Sequence, residues 1–250
     1  MQSSFSTALS AITLAAGALC IFALSPLPVF AQQTVQRHVV YSFSVGIRSD
    51  QHDTDSSMRF QSGGGEAGGT GDTSYLGVAS DKGTISVDVL GLEPDGGLVT
   101  KVSEAAQNNR NAPVTECVVY PTTNVICGSG QVNPEETAVL KTMSPKFFDP
   151  GALDATRHWH SGSAPAGVSL DFTVGPVVGN TVTIQETDNE TPPRGNRVNG
   201  TDTFTYDLAK TIATNVKEYD TIRQEAGPGQ YTNVTVDITA ALASDSVAKN

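Results

Sequence analysis

Apolar side chains recur at every second position over long stretches of this chain. The first run is Val39, Tyr41, Phe43, Val45 and Ile47, with Val40, Ser42, Ser44 and Gly46 between them. A period of two places one set of side chains on a single face of a pleated strand, so this run predicts a long, half-buried strand. The same period returns in Ile85, Val87 and Val89, continues strand-like over 98–104, and reappears in Val168, Leu170, Phe172 and Val174. Val182 with Ile184, Phe204 with Tyr206 and Leu208, and Val234, Val236, Ile238, Ala240 and Leu242 extend it, with a less regular strand over 216–223. Turn chemistry separates the runs. Glu93-Pro94-Asp95-Gly96-Gly97 closes a hairpin, and Gly175-Pro176, Gly179-Asn180 and Gly227-Pro228-Gly229 mark further turns. Two polar spans interrupt the pattern. Residues 48–72 hold a Gly-rich stretch at 62–71 that reads as a flexible loop, and 187–199, with Asp188, Glu190, Pro192, Pro193 and Arg194, reads as a long exposed loop.

One segment has a helical start. Asn133 suits the cap, Pro134 the first helical position, and Glu135 and Glu136 the positive end of the helix dipole. Ala138, Val139, Leu140 and Met143 then form an apolar stripe that must pack against the sheet for so short a helix to persist. Phe147 and Phe148 follow at once and are expected in the core. Together these elements predict a mainly β fold: a curved, mostly antiparallel sheet of about ten strands, half-barrel or sandwich-like, with one short packed helix.

The first 31 residues stand apart. They carry no Asp, Glu, Lys or Arg, are apolar from about Ala8 to Leu24, and end in Pro26, Pro28 and Val29-Phe30-Ala31. This is the form of a secretory signal peptide cut near Ala31. It leaves 32–250 as a single β-rich exported domain, in the periplasm or secreted, with no mature transmembrane segment. Retention as a membrane anchor is the competing reading, which the two prolines oppose. The formal net charge of −11 repels phosphate backbones and excludes nucleic acid as a partner. Beyond the leader the cysteines are Cys117 and Cys127, flanking a Pro-Thr-Thr-Asn turn. Their spacing puts them opposite one another on one face of a hairpin, which in an exported chain predicts a disulfide.

Candidate chemistry is sparse. His158-Trp159-His160 places two imidazoles on one face of a strand, where a third ligand from His38, His52, Asp154 or a distant carboxylate would complete a zinc site. A solvated pair of histidines with Trp159 in the core is the simpler reading. His52-Asp53-Thr54-Asp55 lacks the patterned loop that calcium requires and reads as a solvated turn. Gly63, Gly65 and Gly68 match a dinucleotide fingerprint by letter, without the strand and helix that give it meaning. No nucleophile elbow is present, and capping accounts for Glu135 and Glu136. No catalytic residue or cofactor site is therefore assigned.

The order of elements, long antiparallel strands around a short amphipathic helix over 39–242, resembles exported bacterial single-sheet half-barrels of the periplasmic lipoprotein-carrier type, such as the LolA and LppX families. The resemblance implies a concave face that holds acyl chains, lined by strands such as 39–47 and 168–174. The first functional expectation is thus non-enzymatic binding of a lipid or other apolar or amphiphilic ligand. An envelope or surface interaction module contacting a protein or glycan through loops such as 63–71 and 187–199 is the second, and a metal-dependent enzyme around His158 and His160 the third.

Overall fold

A computed structural model describes residues 34–53, 72–108, 112–128, 132–148, 153, 157–163, 167–192, 196–227 and 229–248. The strands are β1 Arg37–Asp53, β2 Asp72–Leu92, β3 Leu98–Ala106, β4 Ala112–Val119 and β5 Val125–Cys127, then β6 His158–Ser163, β7 Val168–Val174, β8 Thr181–Glu190, β9 Arg197–Asp207, β10 Ile212–Gly227 and β11 Gln230–Val247. Helix α1, Pro134–Lys141, and a 3-10 turn, Pro145–Phe148, lie between β5 and β6. All eleven strands form one curved, unclosed sheet in the order β5-β4-β3-β2-β1-β11-β10-β9-β8-β7-β6, each neighbour antiparallel. Two meanders are thus joined by the ladder between β1 and β11. The two edges, β5 and β6, approach closely enough for Ser161 on β6 to donate its hydroxyl to the Thr122 carbonyl in the β4–β5 turn, at 2.9 Å.

The alternation sets the inner face. Val39, Tyr41, Phe43 and Val45 on β1 pack with Val236, Ile238 and Ala240 on β11 and with Ile85 and Val87 on β2, all almost fully buried. Helix α1 lies on this face. Pro134 opens it, and Glu136 Oε2 accepts the Asn133 N–H at 2.9 Å, as a capping box requires. Its Ala138, Val139 and Leu140 are inaccessible to solvent. Phe147 follows and becomes the hub of an aromatic cluster. Its ring centre lies 5.9 Å from Trp159, 6.3 Å from Phe172, 6.2 Å from Phe204 and 6.0 Å from Tyr206. Trp159 stacks on Phe172 at 4.7 Å, so it belongs to the core fringe while its neighbours His158 and His160 stay outside.

Two loop expectations are corrected. Residues 48–53 continue β1, where His52 stacks on Tyr231 at 4.7 Å. The span 187–199 is mostly strand, with β8 running to Glu190 and β9 beginning at Arg197, so Asp188 is buried. The sheet bonds continue there because the backbone pairs regardless of side-chain charge. The Gly-rich stretch 62–71 lies outside the described residues.

Cys117 and Cys127 stand directly opposite in the β4–β5 ladder, with Cα atoms 4.0 Å apart, and are joined by a disulfide. Closing a short loop restricts the unfolded chain. Replacing both cysteines by alanine is expected to cost about 2 to 3 kcal/mol, read as a lower guanidinium midpoint. An unchanged midpoint would show that the bond adds nothing to a hairpin already held by β3.

Candidate functional site

The cavity expected over 39–47 and 168–174 is occupied. Val39, Tyr41, Phe43 and Val45 on one side and Phe172 and Val174 on the other are at most 5% exposed, because α1, Met143 and Phe147 fill the space between them. Each of these side chains gains more from burial against its neighbours than an empty hollow would permit. A cleft of about 410 Å³ is open at one end of the sheet. Val39, Val89, Leu98, Met143, Phe148 and Ile212 line it, so Phe148, expected in the core, instead forms part of its wall. Leu92 and Val247 stand at its mouth, 64% and 65% exposed. Turns at the same end carry exposed Val177 and Val178.

Two cations border this cleft. Arg37 donates to Asp245 at 2.8 and 2.9 Å and to the Lys210 and Thr211 carbonyls at 2.8 and 3.2 Å. The hydrogen bonds between them raise Arg37 above its usual pKa and hold Asp245 below the usual carboxylate range. Arg37 therefore fixes the wall, tying β1 to the start of β10. Lys210 is exposed at the rim, and its charge adds to the pull that holds Asp245 down.

A second constellation was not anticipated from the sequence. Glu186 on β8, Asp202 on β9 and Glu218 on β10 are direct cross-strand partners, forming a row of three carboxylates on the inner face. The next row is Asp188, Gly200 and Asp220. Lys141, the last residue of α1, reaches over the first row, its Nζ 3.4 Å from Asp202 Oδ2 and 3.9 Å from Glu186 Oε1 and from Glu218 Oε2. Burial pushes these carboxyls up, against the opposing pull of Lys141: Glu186 to about 8, Asp188 to about 7, Asp202 to about 6 and Glu218 to about 9. Burial alone would lower Lys141, but the carboxylates outweigh it and hold its pKa well above the ordinary lysine value. The raised Glu186 and Glu218 hold protons at neutral pH and so share the neutralisation with Lys141, while Glu186, Asp188, Asp202, Glu218 and Asp220 each keep a buried oxygen with no hydrogen-bond donor. The available signal was parity: Glu186 and Asp188 share the phase of Val182 and Ile184.

The histidine pair sits on β6, the edge strand, with His158 64% and His160 57% exposed. Asp171 on β7 lies 3.2 Å from His160 Nδ1 and 4.0 Å from His158 Nε2. His38 is on β1 with Asp88, and His52 is with Tyr231, so neither joins the pair. Asp154 lies outside the described residues. Among the described residues no three His, Cys, Asp or Glu side chains form a ready metal site. A larger hollow of about 580 Å³ borders Ser44, Gly46, Asp81, Lys82, Asp237 and Thr239; it is polar, and Asp81 there accepts the N–H groups of Lys82 and Asn108. No helix among the described residues is long and apolar enough to cross a membrane.

No known family pattern and no curated protein matches the chain. Among solved structures it is similar to lipovitellin, in a structure concerned with lipid–protein interactions, at a TM-score of 0.44 and 8% identity. The match covers 88% of this chain and 26% of lipovitellin, so the chain spans about a quarter of that protein's length.

Proposed function

We propose that the chain is an exported, non-enzymatic domain that binds an amphiphilic ligand in the cleft between Met143, Phe148 and the ends of β1, β2, β3 and β10. The observation that carries the reading is the cleft itself, whose volume of about 410 Å³ falls in the range of small-molecule sites. Its apolar walls suit a hydrocarbon chain, and Lys210 at the rim suits an anionic head. The 1–31 leader and the Cys117–Cys127 disulfide support placement outside the cytoplasm.

The mouth residues provide a test that spares the fold. Leu92→Asp with Val247→Asp changes two exposed side chains, so stability should hold while affinity for the fluorescent fatty acid cis-parinaric acid falls at least tenfold. Equal binding by both proteins would overturn the cleft as the site. Native mass spectrometry of protein from residue 32 onward, compared with a denatured sample, would identify a carried ligand by its mass.

A second reading draws on the packed core together with exposed Leu92, Val177, Val178 and Val247, which all lie toward the same end of the sheet and offer apolar surface to a protein partner. An interaction module of this kind would bind no parinaric acid, and would lose its partner with the same two substitutions.

A further inference from the structure

We infer that the outer face of the sheet carries a saccharide-binding site, built around Gly46 with Tyr219 beside it. The hollow of about 580 Å³ next to Ser44 and Gly46 lies on the side opposite the core. Val45 points inward, so Ser44 and Gly46 face out, together with their cross-strand partners Thr239 and Asp237 on β11 and Lys82 and Ser80 on β2. Gln107 and Asn108 close one side. The Gln107 N–H donates to the Lys82 carbonyl at 2.8 Å and the Asn108 side-chain amide to the Ser80 carbonyl at 2.8 Å, which fixes this wall against β2.

Gly46 is the first observation that points to a ligand. A glycine inside a strand weakens it, and marks a bulge, a bend or a surface that a ligand approaches closely. The register of β1 with both neighbours runs evenly from Tyr41 to Ser49, so no bulge falls at Gly46. Its φ is not positive, and a Cβ there would meet nothing nearer than the Asp237 carbonyl oxygen at 4.0 Å. Neither the backbone nor the packing requires glycine here, whereas an occupant resting on the floor of the hollow does. Tyr219 is the second. It is the cross-strand partner of Asp237, shares the outer face because Glu218 points inward, and is 54% exposed. A ring held in water beside a polar hollow offers a stacking surface for the C–H face of a pyranose. The lining selects the same ligand. The hydroxyls of Ser44, Ser80 and Thr239 and the amides of Gln107 and Asn108 each donate and accept, as the hydroxyls of a sugar do. Asp237 opposes an anion, Lys82 opposes a cation, and the polar walls suit no hydrocarbon.

The test uses the protein from residue 32 onward, with its disulfide intact, isotope-labelled for two-dimensional amide NMR. Chitotetraose, cellotetraose and tetragalacturonate are added separately to about 10 mM, enough to occupy a site of millimolar affinity. At least one should shift the amides of Ser44, Gly46, Asp237 and Thr239 while leaving those of Leu98 and Ile212, in the end cleft, unmoved. Gly46→Val places a strand-favouring side chain on the floor of the hollow, so the melting midpoint should hold or rise while the sugar-induced shifts vanish. Tyr219→Ala alters an exposed ring and should weaken binding at least tenfold with the fold intact, which keeps the test decisive should the valine not be accommodated. No shift at these amides with any of the three sugars would overturn the inference. Shifts that persist unchanged in both variants would overturn it equally.

Discussion

Replacing Phe147 by alanine is expected to cost about 3 to 5 kcal/mol, the range for deleting a buried aromatic ring. The ring touches the centre of the fold, meeting Trp159, Phe172, Phe204 and Tyr206 from three strands. Guanidinium unfolding followed by the fluorescence of Trp159, the sole tryptophan, reads the loss directly. A cost below about 1 kcal/mol would mean that the inner face tolerates a hollow. It would also return the broad concave cavity to consideration in place of the end cleft.

The second large effect is on pH. In an unfolded chain Glu186, Asp188, Asp202 and Glu218 titrate near 4; in the folded protein burial carries them to about 8, 7, 6 and 9. Between those limits the folded state binds more protons than the unfolded one, so stability falls as pH rises. The contribution is complete below about pH 4 and is lost progressively up to about pH 9. A tenfold gain in the proton affinity of a single carboxyl is worth about 1.4 kcal/mol, so the change summed over the cluster is several kcal/mol. Urea midpoints at pH 5, 7 and 9 should decline in that order. Glu218→Gln should flatten the slope, which separates the cluster from the general repulsion of a chain with net charge −11. A midpoint rising from pH 5 to 9 would contradict buried carboxylates altogether.

Much of the architecture was legible because apolar alternation and backbone pairing agree. The phase of Val39 to Ile47 and of Val234 to Leu242 marks the faces that are buried, Asn133-Pro134 starts the helix, and Cys117 faces Cys127 as their spacing required. The cluster was not legible because charge over 187–199 has the look of a solvated loop. Asp188 follows Glu186 in phase with Val182 and Ile184, so the strand had not ended; only its inward side chains had changed from hydrocarbon to carboxylate. Those carboxylates acquire their meaning from Asp202, Glu218 and Lys141, distant in sequence and brought together by the sheet order. The cleft was equally hidden, since it depends on how far Met143 and Phe148 extend beyond the filled centre.

The strand order also dictates when the sheet can be finished. Residues 37–53 and 230–247 meet in its middle, although nearly the whole chain separates them, while the strands from the centre of the sequence make its edges. During synthesis β1 must therefore wait for the last strand with one side of its backbone unpaired. A chain interrupted before Gln230 would hold an exposed strand of seventeen residues, rich in valine and aromatic side chains. Such a flank invites another chain to pair with it, whereas the finished sheet ends in one strand of three residues and another of six. The eighteen-residue β11 thus covers the longest strand edge and closes it to pairing with a neighbouring chain.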